Sequence, residues 1–244
     1  MVPYLLSVKT VPDRLPAERA FPFNLHFVET LHLKFRTPVT FLVGENGSGK
    51  STLLEGIAAL CRLPVSGGSR NELADKYGPE TDSTLANVLR PAFRKQPGDG
   101  FFLRAEFAAH FASLLDEQAG GHMYGLAFER YGGQSLHTRS HGEAFLAILQ
   151  NRIRRGLFLF DEPESALSPQ RQLALLALMT DLVKTKEAQF IVATHSPILL
   201  TFPGASIVNF DDSALPEVAL EETAHYRITR GILDDPERYW RHLR

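Results

Sequence analysis

The sequence predicts an α/β fold in which helices cover both faces of a mostly parallel central sheet. Two observations lead to this prediction. The run 39–43, VTFLV, is continuously apolar, as in a strand that is buried on both faces, and it leads directly into a glycine-rich loop. From residue 142 onward, helix-like and strand-like segments alternate, which is typical of parallel sheets built from strand–helix–strand units.

The first part of the chain has a different pattern from the rest. Residues 1–36 contain four prolines, and Phe27, Leu31, Leu33 and Phe35 alternate with other residues, which indicates antiparallel strands with one solvent-exposed face. The other predicted elements are a helix after the glycine loop, a short helix at 83–90, a strand at 100–107, a helix at 142–155, a strand at 157–160, a helix at 168–184 with Ser168 as its N-cap, and strands at 189–193 and 205–209.

We expect these elements to form a single domain over residues 1–244, since no change in composition marks a second one. Its predicted parts are an antiparallel β portion (1–38), a strand–loop–helix unit (39–61), an irregular and helical subdomain (62–140) and a second α/β half with a C-terminal tail (141–244).

The composition is that of an ordinary globular protein. Hydrophobic residues make up 44% of the chain and charged residues 22%, and the formal net charge is -2. The whole chain therefore has no basic field to attract nucleic acid or an acidic membrane. No apolar run reaches the roughly 18–20 residues that a membrane span needs, so a cytoplasmic protein is expected. Basic residues at 90–104 and 152–155 leave a nucleic-acid contact open.

The loop at residues 44–51, GENGSGKS, has the spacing of a phosphate-binding loop. Its glycines let backbone N–H groups approach phosphate oxygens, and the following helix N-terminus adds a favourable dipole. Lys50 is expected to contact the β- and γ-phosphates, and the hydroxyl of Ser51 to bind Mg²⁺. The predicted nucleotide-binding residues are Gly44, Glu45, Asn46, Gly47, Ser48, Gly49, Lys50, Ser51 and Thr52.

Two acidic residues follow the apolar strand at 157–160. Asp161 would point toward Mg²⁺ from the end of that strand, and Glu162 would polarise a water molecule against the γ-phosphate. A hydrolase can use a second acidic residue at this position, whereas a kinase or a GTPase switch has no evident use for one. His195 follows another apolar strand and is expected to sense the γ-phosphate. Lys50, Glu162 and His195 are therefore the candidate catalytic residues.

These motifs resemble those of the ATP-binding-cassette (ABC) ATPases, in the same order along the chain. The runs GENGSGKS, FLFDEP, SALS and ATHSP are similar to the Walker A, Walker B, D-loop and switch-histidine motifs of that superfamily. Three segments are candidates for its signature loop: VSGGS at 65–69, YGGQ at 131–134 and SHGE at 140–143. Position favours SHGE, because this segment directly precedes the helix that leads into the Walker B strand.

The runs SHGE, DEPE, ALSP and ATHSPI also resemble a group of bacterial AAA-family ATPases that are soluble. The resemblance implies an enzyme that uses ATP and Mg²⁺ and that forms an ATP-dependent homodimer. In such a dimer, Ser140, Gly142 and Glu143 of one subunit contact the nucleotide on the Walker A loop of the other. The Q-loop residue stays open between Gln96 and Glu106.

Three alternatives share much of this machinery. The first is a nucleotide-gated module that acts on DNA or on a protein partner and hydrolyses ATP slowly. The second is the motor subunit of a transporter, and the third is a P-loop kinase. The signature loop and Glu162 disfavour the kinase.

Overall fold

A six-stranded sheet forms the centre of the computed structural model, which describes residues 2–69, 83–104, 149–150 and 153–243. In spatial order its strands are β4 (Gly68–Ser69), β6 (Gly100–Arg104), β7 (Gly156–Asp161), β8 (Ala188–Ala193), β3 (Val39–Val43) and β9 (Ser206–Asn209). Strand β4 runs antiparallel to β6, and the other five are parallel to one another. The predicted parallel α/β sheet is thus confirmed.

The apolar runs that predicted these strands are buried on both faces of the sheet. Along β3, Phe41 packs into one hydrophobic core and its neighbour Leu42 packs into the other. The same alternation holds along β7, where Phe158 and Leu159 point to opposite cores. Successive side chains of a strand point to opposite faces, so a continuous apolar run is what a sheet covered on both sides requires.

Two helices, α1 (Lys50–Leu60) and α2 (Pro169–Lys184), supply much of this cover. Helices α3 (Ala224–Asp234) and α4 (Pro236–Leu243) follow later in the sequence, and α3 has no fully buried residue. Leu53 and Ile57 of α1 are buried in one core, and Leu175 and Met179 of α2 are buried in the other. Ser168 precedes α2 as predicted, but its side chain makes no capping hydrogen bond. Within the part of the chain that is described, no helix is long and apolar enough to cross a membrane.

The helix predicted at 142–155 lies mostly outside the described residues. Residues 149–150 are helical, and the backbone N–H of Ile153 donates to the carbonyl of Leu149. The prediction was wrong at its C-terminal end, because residues 154–155 bend before β7. The cause is Gly156, whose φ of +129° and close approach to the carbonyl of Asp99 turn the chain into the strand.

A second, antiparallel sheet has the strand order β2–β1–β5, with β1 at Leu5–Thr10, β2 at His32–Lys34 and β5 at Leu89–Phe93. The predicted antiparallel portion is therefore confirmed, but its third strand comes from a region predicted as the end of a helix. Residues Thr84–Val88 form only a 3₁₀ helix before β5 begins. Pro91 accounts for the difference, since it has no N–H for a helical hydrogen bond and fits a sheet edge. Phe27 is buried in a turn rather than in a strand.

The side chain of Gln189 joins the two sheets. This glutamine lies on β8 and is completely buried. Its carbonyl oxygen accepts hydrogen bonds from the backbone N–H groups of Tyr4 (2.8 Å) and Leu5 (2.9 Å), and its amide donates to the carbonyl of Leu5 (3.0 Å). A buried polar side chain with all these partners fixes the antiparallel sheet at the amino end of β8.

Candidate nucleotide site at the carboxyl ends of the strands

The predicted motifs meet at the carboxyl ends of three neighbouring parallel strands. The loop at 44–49 follows β3, Asp161 and Glu162 lie at the end of β7, and His195 follows β8. Ligands of open α/β sheets bind at this edge. The sheet thus brings together the Walker A residues, the acidic pair and the histidine, as the sequence predicts.

The backbone of the loop depends on its glycines. Gly44, Gly47 and Gly49 have φ values of +143°, +81° and +95°, a region that side chains with a Cβ rarely adopt. A Cβ at Gly49 would also lie 2.7 Å from Cε1 of Phe27, in the turn that follows β1. The antiparallel portion therefore supports the loop from behind.

The ammonium group of Lys50 lies inside the loop. It donates hydrogen bonds to the carbonyl oxygens of Gly44 (2.6 Å) and Glu45 (2.8 Å), and it lies 3.4 Å from the hydroxyl oxygen of Ser48. Burial lowers the pKa of Lys50, although the carboxylates of Glu162, Asp211, Asp161 and Glu45 oppose that shift. A buried cation held by a glycine loop is suited to bind phosphate oxygens.

The hydroxyl of Ser51 donates a 2.9 Å hydrogen bond to Oδ1 of Asp161. The carboxylate is almost fully buried, and burial raises the pKa of Asp161, whereas the Ser51 hydrogen bond and the charge of Arg104 lower it. Arg104 lies at the end of β6, with Nε 3.8 Å from Oδ2 of Asp161 and Nη1 2.8 Å from Oε1 of Glu55. Hydroxyl and carboxylate oxygens are hard donors, and Mg²⁺ binds to one or two such groups together with phosphate oxygens. The two residues therefore fit a Mg²⁺–nucleotide complex.

The backbone of Glu162 is in the left-handed region, with φ +49° and ψ +53°. Non-glycine residues seldom adopt this conformation, and it occurs at functional sites where the surrounding structure holds it. Here a hydrogen bond from the N–H of Glu162 to the carbonyl of Ala193 ties the residue to β8. Its Oε1 lies 3.4 Å from Nε2 of His195, and 44% of its side chain is exposed. The carboxylate therefore stands between the switch histidine and solvent.

Two further groups hold His195. Its backbone N–H donates to Oε1 of Glu164 at 2.5 Å, and its ring Nδ1 lies 2.8 Å from Nε2 of His225. The opposite ring nitrogen, Nε2, is buried and has no hydrogen-bond partner among the described residues. This nitrogen faces Glu162, so the histidine and the second acid form one unit.

Comparisons with known proteins agree with this geometry. A family model described as "AAA domain" matches residues 22–99, and one described as "AAA domain, putative AbiEii toxin, Type IV TA system" matches residues 143–201. The cytochrome c biogenesis ATP-binding export protein CcmA of Rhodopseudomonas palustris is 29% identical over 169 residues, which cover 66% of this chain and 79% of that protein.

Solved structures are similar in fold. That of cbiO1 from Clostridium perfringens, part of the ABC transporter complex cbiONQ, has a TM-score of 0.52 at 16% identity and covers 96% of both chains. An ATP-binding cassette of an ABC transporter has a TM-score of 0.51 at 15% identity and covers 97% of both chains. The chain is therefore an ATPase that is similar in sequence and in fold to the ATP-binding proteins of ABC transporters.

In this ATPase, the predicted signature segment lies outside the described residues. Ser140, Gly142 and Glu143 are in that part of the chain, as are the alternative segment at 131–134 and the Q-loop candidate Glu106. The third signature candidate, 65–69, leads into the edge strand β4 and does not precede Walker B. Gln96 is exposed in the turn before β6, at the amino end of the sheet, which is remote from the nucleotide.

Four residues of the ATPase site were missed by sequence reasoning as site residues. The sequence pattern could have indicated Arg104 and Asp211, because they lie at or just after the carboxyl ends of β6 and β9. The Oδ1 of Asp211 accepts a 2.7 Å hydrogen bond from the N–H of Glu45 and so helps to shape the Walker A loop. Glu164 is part of the DEPE run, but only the fold shows that it holds His195. No motif or strand end in the sequence indicated His225 as a site residue.

The described basic residues that left a nucleic-acid contact open lie at two different edges of the sheet. Arg104 belongs to the nucleotide site. Arg94, whose backbone N–H donates to the carbonyl of Tyr4, lies near the amino ends of the central strands, and Arg155 directly precedes β7. These two exposed arginines are therefore at the edge of the sheet opposite the Walker A loop.

Proposed function

We propose that this ATPase hydrolyses ATP to ADP and phosphate at composite sites between two copies of the chain. The observation that carries the proposal is the arrangement at one sheet edge of the loop cation Lys50, the Ser51–Asp161 pair and the Glu162–His195 pair. These groups match the three needs of phosphoryl transfer to water, which are phosphate binding, a metal site and a group that orients the nucleophile.

The roles of the residues follow from their positions. Lys50 and the N–H groups of residues 44–52 bind the β- and γ-phosphates. Ser51 and Asp161 hold Mg²⁺, which supplies positive charge to the phosphate oxygens when it is bound. The exposed carboxylate of Glu162 accepts a hydrogen bond from the attacking water and orients it. His195 donates from Nε2 to the γ-phosphate and keeps Glu162 aligned.

A second subunit is proposed because, among the described residues, the phosphate-binding loop is exposed on one side. The loop residues Glu45, Asn46 and Gly47 are exposed, and Glu162 is half exposed. Water could enter from that side and compete with the positioned nucleophile. We propose that Ser140, Gly142 and Glu143 of a partner copy cover it, the serine hydroxyl and the glycine amide donating to the γ-phosphate.

The alternatives have less support. The names of CcmA and cbiO1 connect those two proteins with export and transport, so a membrane partner is a second candidate for this chain. A DNA-binding role receives no support from Arg94 and Arg155, which lie at the edge opposite the proposed dimer face.

The deciding experiment is the light-scattering mass of the Glu162→Gln variant with ATP and Mg²⁺, compared with ADP and Mg²⁺. Blocked hydrolysis should trap a dimer with two ATP molecules, whereas ADP should leave a monomer. Adding Ser140→Ala to the variant should weaken the dimer. A monomeric mass with ATP as well as with ADP would contradict the proposed homodimer. Normal ATP turnover by Lys50→Ala or Glu162→Gln would overturn the assigned hydrolytic roles.

A further inference from the structure

The first turn of α3 places a histidine against the switch histidine. Thr223 is the buried N-cap of α3, and its hydroxyl oxygen accepts a hydrogen bond from the N–H of Tyr226 at 3.3 Å. This cap fixes the start of the helix, and His225 is its second residue. Nε2 of His225 lies 2.8 Å from Nδ1 of His195, with the ring centroids 4.9 Å apart. A C-terminal element thus contacts the hydrolytic centre.

The two contacts of His195 determine where its proton is. Two ring nitrogens 2.8 Å apart share one hydrogen, so one of them donates and the other accepts. On the other side of the ring, Nε2 lies 3.4 Å from a Glu162 oxygen, and an ionised carboxylate can only accept. A proton on Nε2 of His195 satisfies this contact. Nδ1 must then accept, and Nε2 of His225 must donate to it.

We propose that His225 is a positioning residue that donates its Nε2–H to Nδ1 of His195 and so holds the switch histidine in the tautomer protonated at Nε2. The inference rests on the proposed function, in which that Nε2–H faces Glu162 and the γ-phosphate. Without His225, the neutral ring of His195 is free to rotate and to carry its proton on either nitrogen. A fraction of the molecules then presents a bare nitrogen to the phosphate.

The surroundings keep His225 neutral at physiological pH. Burial lowers the pKa of His225, and the neighbouring His195 and Lys50 lower it further, while Glu45 and Asp211 oppose them. Among the described residues, these four are the titratable groups whose charges act on His225. A neutral histidine has a single N–H, and the short contact to His195 uses it.

The kinetic constants distinguish positioning from simple packing. Loss of the N–H at Nε2 of His195 affects the transition state of hydrolysis and therefore lowers kcat. A packing defect of the site also weakens ATP binding and therefore raises KM.

The test compares His225→Leu with His225→Gln, which have similar volumes and differ in the amide donor. His225→Leu should lower kcat roughly tenfold at pH 8 with KM for ATP unchanged, as expected for one lost hydrogen bond. His225→Gln should remain within about twofold of wild type at the same pH. Equal losses in both variants, a raised KM with unchanged kcat, or no loss in His225→Leu would overturn the proposal.

A second measurement does not depend on hydrolysis. Side-chain ¹⁵N NMR of histidine-labelled protein, with His195→Gln used to assign the signals, reports which ring nitrogen carries the proton. Wild type should show His195 protonated at Nε2 alone at pH 8, and His225→Leu should show a mixture. A proton on Nδ1 in wild type would refute the pairing. If wild type does not hydrolyse ATP, the proposed function fails, and the spectrum still decides the tautomer.

Discussion

The hydroxyl of Ser51 and the carboxylate of Asp161 are joined by a 2.9 Å hydrogen bond across 110 positions of sequence. Ser51 is the second residue of α1, which follows β3, and Asp161 ends β7, which β8 separates from β3 in the sheet. The contact prepares the metal site, because it fixes both oxygen ligands before a nucleotide arrives. It also provides a short hydrogen bond for a buried carboxylate, whose ion-pair partner Arg104 lies 3.8 Å away.

Replacing Ser51 should raise the Mg²⁺ concentration needed for hydrolysis. Ser51→Ala removes one proposed ligand and the group that orients the other, so we expect at least a tenfold higher Mg²⁺ midpoint, on the order of effects of lost orienting groups at metal sites. The measurement is ATPase rate against Mg²⁺ concentration. Ser51→Thr keeps the hydroxyl and serves as the control. An unchanged midpoint in Ser51→Ala would show that Ser51 does not bind the metal.

Asp161→Asn should stabilise the nucleotide-free fold while it abolishes hydrolysis. Burial raises the pKa of Asp161 above its ordinary value of 3.8. The stabilisation that such a group contributes to the fold is fully present below pH 3.8 and is lost as the pH rises through the folded pKa. At pH 7 the ionised carboxylate therefore destabilises the fold. Asparagine removes the charge and keeps an acceptor for Ser51, and Arg104 retains its hydrogen bond to Glu55.

Thermal denaturation at pH 7 without nucleotide should therefore give a Tm about 2–4 °C higher for Asp161→Asn, the shift that 1 kcal/mol produces in a chain of this size. Mg²⁺ with ATP should stabilise the wild type and leave the variant almost unchanged. Asp161→Ala, which leaves Ser51 without its acceptor, is the comparison. A variant less stable than wild type would mean that the Arg104 charge outweighs the burial of Asp161.

The sequence was sufficient to predict most of the central sheet because burial on both faces leaves a simple pattern. The strand at 39–43 agrees with β3 at both ends, and the strands at 157–160 and 189–193 agree with β7 and β8 to within one residue. The same logic predicted the residues that follow these strands. Parallel strands end at one edge, so Lys50, Asp161 and His195 had to lie together.

Contacts that depend on long-range packing left no such pattern. Strand β5 pairs with β1, about 80 positions away, and its run LRPAF looks like the end of a helix followed by a breaker. His225 is one of nine histidines, in a tail with no motif, and only the fold brings it to His195. Local propensity cannot distinguish such a residue from the other histidines of the sequence.

Gly47 and Gly49 form a matched pair for testing how the Walker A loop is supported. Both have a left-handed φ, so alanine introduces comparable backbone strain at each. Only at Gly49 would the new Cβ meet other atoms, 2.7 Å from Phe27 and 3.0 Å from Leu25. Gly49→Ala should therefore lose about 1–3 kcal/mol more stability in urea denaturation than Gly47→Ala. Equal losses of stability in the two variants would mean that the turn at Phe27 rearranges around the new Cβ without a cost in free energy.

Asp211 should control ATP affinity through the backbone of the loop. Its Oδ1 accepts the N–H of Glu45 at 2.7 Å, and Asp211→Ala leaves that donor without its partner. We expect a loss of about 0.5–1.5 kcal/mol, or roughly 2- to 12-fold in Kd, in a calorimetric titration with Mg²⁺ and ATP. Asp211→Asn keeps an acceptor and removes a negative charge near the triphosphate, so it should bind ATP at least as tightly as wild type.

The neighbouring Asp212 provides the control for charge. Its Oδ1 accepts only the N–H of Ala214, further along the same turn, so Asp212→Asn changes the net charge by the same amount without touching the loop. If hydrogen bonding to Glu45 matters, only Asp211→Ala weakens binding, while both asparagine variants retain it. If long-range charge dominates, all three variants bind ATP more tightly, because each removes one negative charge near a negatively charged ligand. That second result would show that Asp211 does not shape the loop.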